Sequence, residues 1–490
     1  MSMRGLLGLV ALCAGCGPGS TCDATSEPTS PDRDPIERLG DYDGPAFSEL
    51  GDLEVDGNTV WFCSGVIGLN AYDASDPTNM TELDRLEISI GSAQYPRCHH
   101  LALAGSDVYV TNRANSIQPE SFVARIDATD PANLVEISAW ITPDDVEGLD
   151  VSGDHLFLAA HGDGLVIRDR SSFAEIGRLG APLTNAWTVR VLGETAWIAD
   201  GEAGLAWVDI ADRSNPVYGG HLALGGQVKD LDIDPVNNRL FVAAGTAGVA
   251  MVDLDTPSGT PLLAASADTP GSALGVAWLP DTNTVGVADW NDLRLFAVDS
   301  EALSVLGHEP LQADSSTESR TLGIAGRGDL LFSGNWTALS SYRVHPDRAS
   351  GDLDVFPGLI SLSRTEPGDT TNALITLSNG GHGPLSITGG EVSGKGLDLE
   401  LEPASLDPGE DTVVRLSWAP PNSRLLNGWL NIFSDDADEP SKCVAVQGNR
   451  TGLGPGDPAP PVSFLGTDGT TWALDSLQGK PVLLSYFATF

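Results

Sequence analysis

A unit of about 45 residues recurs along most of the chain, and nothing else in the sequence limits the fold as strongly. Each copy ends in a short apolar run closed by an aspartate. These are Gly68-Leu69-Asn70-Ala71-Tyr72-Asp73, Phe122 to Asp127, Gly164 to Asp169, Gly204 to Asp209, Gly248 to Asp253 and Leu295 to Asp299. A seventh run, Leu339 to Val344, is closed by His345 instead. The closing residues are spaced 54, 42, 40, 44, 46 and 46 apart. Ahead of each run lie two short strands across a Gly/Asp/Asn turn, as in Leu101 to Val110 around Gly105-Ser106-Asp107. Four such strands cannot keep both faces dry alone. Stacked radially they can, and few edges stay free. The pattern predicts a mainly β protein with a seven-bladed β-propeller over residues 35–350.

The ends of the ring can also be read. Units one to six carry a fourth strand, such as Glu82 to Ile88 or Glu175 to Leu179, but Pro346-Asp347-Arg348 after His345 offers none. Ile36-Glu37-Arg38-Leu39-Gly40 is similar to Ile176-Gly177-Arg178-Leu179-Gly180. We therefore expect this N-terminal strand to complete the seventh blade and cover its edge.

Innermost strands are expected to start at Asp52, His100, Gly148, Thr188, Asp230, Gly275 and Thr321, with His99, Glu147, Lys229 and Arg320 one residue earlier. Asp52, His99, His100, Glu147, Asp230 and Arg320 would then meet at one end of the central channel. Such a ring suits a metal or a small polar ligand. The plainer reading is a hydrated mouth of mutually paired charges. The strand-closing aspartates are expected to cap turns rather than bind Ca²⁺, since none lies in a D-x-D-x-D-G loop. No Ser/His/Asp or Cys/His nucleophile arrangement is present, so no catalytic residue, metal ligand or cofactor is assigned.

The Gly-Leu-x-x-x-Asp strand, followed by Asp76-Pro77 and Asp130-Pro131, resembles the LVIVD-repeat propellers of exported bacterial proteins. The resemblance covers residues 35–347 and implies a propeller for each repeat set.

Arg4, the apolar run Gly5 to Leu12 and then Cys13-Ala14-Gly15-Cys16 make an export signal too short to span a bilayer. The segment resembles a bacterial lipoprotein signal, departing from it at Cys13, where Leu is usual. That implies removal of residues 1–15, a lipid on Cys16 that anchors the protein to a membrane, and an envelope location. Gly17 in place of Asp favours the outer membrane. An ordinary secretory peptide with an incidental Cys16 is the alternative. Residues 16–34, rich in Gly, Pro, Ser, Thr and Asp, read as a flexible tether. In an oxidising compartment Cys63 and Cys98, which lie in consecutive units, either pair or remain two separately buried thiols. The net charge of −42, from 26 Lys and Arg against 68 Asp and Glu, excludes nucleic acid as a partner. An unidentified protein or small molecule is left as the propeller's ligand.

From Leu353 the period changes. Ala373 to Asn379, Leu385 to Ile387, Leu397 to Leu401, Val413 to Trp418, Trp429 to Phe433 and Cys443 to Val446 alternate and are split by Gly/Pro/Asp turns, which predicts a β-sandwich over residues 351–450. Leu377-Ser378-Asn379-Gly380-Gly381, Leu406-Asp407-Pro408-Gly409-Glu410, Trp418-Ala419-Pro420 and Ser434-Asp435-Asp436 resemble the immunoglobulin-like domains of the ASH / choice-of-anchor-D group. That implies a spacer or protein-binding module. Cys443 is expected to be a buried, unreactive strand residue.

Residues 451–490 resemble the opening of a redoxin domain, thioredoxin-like, of the peroxiredoxin and TlpA kind. The match rests on Pro455-Gly456-Asp457-Pro458-Ala459-Pro460, a hairpin at Asp468-Gly469, and Gly479-Lys480-Pro481-Val482 leading to Phe487-Ala488-Thr489-Phe490. In that family the attacking cysteine comes next. The expectation is therefore a truncated product, with a selenocysteine codon read as a stop. Two functions follow: a lipid-anchored binding scaffold, or an envelope thiol oxidoreductase or peroxidase whose chemistry lies beyond Phe490. A propeller enzyme built on His99 and His100 is a third option.

Overall fold

The computed structural model describes residues 34–43, 50–65, 68–88, 97–112, 121–254, 256, 259–290, 292–310, 323–334, 338–349, 351–436, 439–449, 463–465 and 471–473. Cys16, the signal segment, the tether and Arg320, for which the sequence raised expectations, lie outside these residues, as does most of 451–490. Among the described residues every regular element is a strand. The described residues divide into two compact units, one of residues 34–350 together with Gly381–Gly383 and the other the remainder from Gly351 onward.

The first unit holds seven antiparallel four-stranded sheets. Their first strands are Leu50–Asp56, Leu101–Ala104, Leu149–Ser152, Thr188–Leu192, Asp230–Asp234, Gly275–Leu279 and Gly323–Arg327. Each touches the next, and the last touches the first, so they ring a common axis. The start points lie within two residues of those expected.

The core is divided as the ring requires. Strand alternation sends successive side chains to opposite faces, so each sheet feeds two neighbouring clusters. Phe157 packs against Val189 and Ile198 of the fourth sheet. Its neighbours Leu156 and Leu158 pack against Tyr109 and Val123 of the second. The last cluster joins Phe332 and Leu339 of the seventh sheet to Val60 and Phe62 of the first.

The repeat's glycine has a steric cause. Gly68, Gly164, Gly204 and Gly248 have φ of 96°, 78°, 100° and 74°. A Cβ there would lie 2.1–2.2 Å from the carbonyl oxygen ending the sheet's fourth strand, so only glycine fits. The closing aspartates cap turns. Asp73 accepts the N–H of Ser75 at 2.8 Å, Asp127 that of Thr129 at 2.9 Å, and Asp209 that of Ala211 at 2.9 Å.

Ring closure falls to the strand Ile36–Asp43, which pairs antiparallel with Ala338–Val344, Ile36 opposite Val344 and Asp43 opposite Ala338. Ile36 is fully buried among Leu279, Leu295 and Tyr342. Arg38 reaches Glu309 of the sixth sheet at 3.2 Å, and the Tyr42 hydroxyl donates to the Pro77 carbonyl beyond the first sheet at 2.8 Å. His345, which replaces the usual aspartate, meets Glu37 at 2.7 Å, and its N–H donates to the Pro35 carbonyl at 2.8 Å.

Cys63 and Cys98 are joined by a disulfide between the first and second sheets, Cα atoms 4.8 Å apart and 35 positions apart in sequence. By loop-closure entropy, a Cys63→Ser, Cys98→Ser double variant is expected to lose about 2–4 kcal/mol. Urea titration of the two proteins checks this, and an unchanged midpoint would refute it.

The second unit has two packed sheets. One is ordered Leu353–Phe356, Thr371–Asn379, Asp411–Trp418, Leu397–Glu400; the other Leu359–Ser361, Ser441–Gly448, Leu426–Ser434, Leu385–Ser393, Ala404–Leu406. Ile375, Leu377, Leu416, Trp418, Leu430, Ile432, Val444 and Val446 fill the space between them. Asn379, Asp435 and Asp436, from the motifs noted in the sequence, act as clasps. Asn379 donates to the Leu406 carbonyl at 2.9 Å and accepts the Asp352 N–H at 3.1 Å. Buried Asp436 accepts the Leu353 N–H at 2.7 Å, and Asp435 that of Ser386 at 2.6 Å.

One expectation here is corrected. Cys443 is disulfide-bonded, not a buried free thiol. Alternation turns Val444 and Val446 inward, which leaves Cys443 half-buried on the outer face of its sheet. Further along, Ser463–Leu465 and Thr471–Ala473 pair antiparallel.

Candidate functional site

The first strand of each propeller sheet is an edge strand facing the channel, and its free N–H groups need acceptors. The sequence supplies them on the neighbouring sheet. Asp52 accepts the Leu101 N–H at 3.0 Å, and Asp150 that of Val191 at 2.7 Å. Asp230 and Asp232 accept those of Val276 and Trp278, at 3.1 and 2.7 Å. These carboxylates are therefore clasps between sheets as well as channel lining.

All seven first strands contribute to an axial cavity of about 520 Å³. Asp52, Glu54, Asp150, Asp230, Asp232 and Asp234 line it, with Arg190 the single cationic side chain among the lining residues. Arg190 bonds Glu54 at 3.2 Å, joining the fourth sheet to the first. Burial works against its charge, but Glu54, Asp230, Asp52 and Asp150 together outweigh that and hold it cationic.

A smaller pocket of about 160 Å³ is lined by Gly51, Asp52, Gly65, Cys98, His99, His100 and Glu147. His100 lies 3.4 Å from Asp52 through Nδ1 and 3.9 Å from Glu147 through Nε2. His161 meets the other Glu147 oxygen at 3.0 Å, Asn185 at 2.8 Å, and the Trp187 ring edge-on. The Lys229 ammonium lies over the Trp187 ring, 3.0 Å from its centre. Burial alone would lower His100, yet its bond to Asp52 and the charges of Asp52, Glu147 and Asp230 raise it. Burial likewise opposes ionisation of Asp52, but His100, Arg190 and the Leu101 N–H hold it below the usual carboxylate range.

Of the six expected channel residues, the structure brings Asp52, His99, His100 and Glu147 into the small pocket and places Asp230 with Asp52 in the larger one. Glu54, Asp150, Arg190, Asp232 and His161 were not anticipated. The signal for two of them was alternation, since Asp52/Glu54 and Asp230/Asp232/Asp234 recur every second residue along inner strands. Among the described residues no group of three or more His, Cys, Asp or Glu is arranged to hold a metal ion.

Burial pushes Glu54 up to about 8; Arg190 pulls it back, and Asp52, Asp232 and Asp150 push it further up. Asp230 is pushed up to about 6 by burial, opposed by Arg190 and aided by Asp52. Ordinary values are 4.5 and 3.8, so across this window the folded state binds more protons than the unfolded chain. Stability therefore falls as pH rises from about 4 through about 8. We expect a lower urea midpoint at pH 8 than at pH 5, and a flatter profile in Glu54→Gln. A rising profile would contradict the assignment.

Fold and axial cavity together define a β-propeller protein. The LVIVD repeat family matches residues 184–222, a span that contains the whole fourth sheet. Among solved structures, U3-55K is similar at 14% identity and a TM-score of 0.50, over 63% of this chain and 98% of that one. The Cps50 (Swd1) β-propeller domain of Myceliophteria thermophila is similar at 12% and 0.51, over 64% and 100%. A chain of a mitotic checkpoint complex is similar at 14% and 0.51, over 70% and 100%. At these identities the likeness shows a shared propeller fold alone. No curated protein matches the chain at a significant level.

Proposed function

We propose that this chain is an exported, lipid-anchored binding scaffold. Its seven-bladed LVIVD-type propeller carries the binding surface, and an immunoglobulin-like sandwich acts as spacer or protein-binding module. The observation that carries this reading is the closed ring around an axial cavity, whose charged groups are engaged in clasps between sheets rather than posed around a nucleophile. A cavity of about 520 Å³ is within the range that takes a small polar ligand. Cys16 carries the lipid, which places the protein in the envelope, on the outer membrane by Gly17. Net charge directs it away from nucleic acid.

Labelling cells with a radioactive fatty acid tests the anchor. Label should enter the protein and vanish in Cys16→Ala; label retained in that variant would overturn it. Equilibrium dialysis of the full chain against pooled small polar metabolites tests the cavity. Retention that Glu54→Gln and Asp232→Asn both reduce supports an axial ligand, and equal retention by all three proteins removes it.

A second reading is favoured by the Ser463–Leu465/Thr471–Ala473 pair, which falls where a redoxin hairpin belongs. On that reading the gene product performs thiol-disulfide or peroxide reduction. A peroxide or thiol-disulfide reduction assay on the full gene product decides it: turnover supports it, and inactivity with an intact redoxin domain sinks it.

A further inference from the structure

One face of the sandwich carries apolar side chains that its core does not use. In the sheet Leu353–Phe356, Thr371–Asn379, Asp411–Trp418, Leu397–Glu400, alternation sends Val355, Ile375, Leu377, Val414 and Leu416 inward. Their neighbours point outward, and three of these, Phe356, Leu374 and Val413, are 73%, 65% and 56% exposed. The three are clustered. Thr376 has Phe356 directly opposite on one side and Val413 on the other, and Leu374 is its next neighbour along the strand on the same face. Opposed side chains on a sheet have Cβ atoms about 4.5–5.5 Å apart and diagonal ones about 7–8 Å, so the apolar groups form one patch around a threonine. A solvated sheet face ordinarily turns polar residues outward, and a contiguous exposed apolar patch marks an interaction surface.

The rim of the patch sets the charge of what fits it. One row beyond Thr376, Asp354 and Asp411 flank Ser378. On the other side Leu374 lies opposite Arg415, and Arg415 lies opposite Glu400, with Asp398 the next outward residue of that strand. These four carboxylates outnumber the one guanidinium, which is itself matched to Glu400 at 4.0 Å.

We propose that this face docks another protein, through a segment whose apolar side chains are flanked by Lys or Arg. The proposal rests on the protein-binding arm of the scaffold reading and gives it a surface and a partner chemistry. Charge selects the occupant. A second copy of the chain would bring the same carboxylates to the contact, together with a net charge of −42. Anionic lipid headgroups are repelled by the same rim, so a membrane surface does not fit. A basic amphipathic segment satisfies the rim while Phe356 supplies an exposed aromatic anchor, a residue type enriched where proteins meet.

Fluorescence anisotropy of the full chain with a labelled synthetic peptide of alternating Lys and Leu tests this. The wild type should bind it, and a Phe356→Ser, Leu374→Ser double variant should bind it about tenfold more weakly, since burying even one large apolar side chain is worth about that factor. Both positions are exposed, so the urea midpoint should not move. Arg415→Glu should tighten binding of the same peptide, a gain that misfolding cannot imitate. Equal affinity of the wild type and the double variant, or no binding by the wild type, would remove the proposal. So would dimerisation of the wild type, or its binding to phosphatidylglycerol vesicles, if the double variant loses it, because the face would then belong to a second copy or to lipid. The axial cavity is tested separately by dialysis. Retention there beside a failure here discards this face and leaves the propeller as the binding surface.

Discussion

A chain starting at residue 44 is expected to lose cooperative unfolding of the propeller. Its missing strand, Ile36–Asp43, pairs along its length with Ala338–Val344 and covers an edge that would otherwise be open. Complete burial of Ile36 contributes about 1.5–3 kcal/mol. Each ladder hydrogen bond adds about 0.5–1.5 kcal/mol net. The strand also bridges three sheets, through Arg38 to Glu309 and Tyr42 to Pro77. The total is on the order of 5 kcal/mol or more, comparable to the stability of a typical domain. Thermal melts followed by circular dichroism, with size-exclusion chromatography, should show a broadened transition and self-association through the bare strand. Ile36→Asp gives the milder version, a charge placed in the core between the sixth and seventh sheets. A truncated chain that melts like the full one would show that the ring closes without its strap.

Arg190→Met should cost about 1.5–3 kcal/mol, the usual worth of a charged hydrogen bond, since its pair with Glu54 is half-buried. Arg190 offsets the negative charge of Glu54, Asp52, Asp150 and Asp230 at the centre of the ring. Without it those carboxyls take up protons more readily when folded, so the loss should be largest at alkaline pH and shrink toward pH 5. Adding Glu54→Gln should recover part of it, because the 3.2 Å pair disappears as a unit. Urea midpoints of the four proteins of this cycle give the coupling. Strict additivity, or a loss independent of pH, would mean Arg190 is not the counter-charge described.

The ring was legible because its cause is local and repeated. Glycine at φ near 70–100° opens the third strand of four units against a carbonyl, and aspartates such as Asp73 close theirs by accepting a turn N–H. Together they leave a mark that recurs along the chain. Closure was legible because Ile36-Glu37-Arg38-Leu39 copies a strand found elsewhere. The channel was less so. Glu54 and Arg190 are 136 positions apart in different units. Their pairing follows from the ring's diameter, which no single unit encodes. His161 escaped notice because it follows a second strand rather than opening a first one. Cys443 was misjudged because alternation, which places it on an outer face, was not applied to it.

The strap has a consequence for how the protein is made. His345 and Glu37 are 308 positions apart, yet they meet at 2.7 Å. A polypeptide made N-terminus first delivers Ile36–Asp43 ahead of the other described strands, and the partner of that strand is the last strand of the ring to be made. Until then the earliest segment stays sticky and unmatched while six finished wedges accumulate behind it. Contacts this distant are slow to form and leave intermediates exposed. Biogenesis of this molecule thus calls for a holding chaperone until the final turn of the circle emerges.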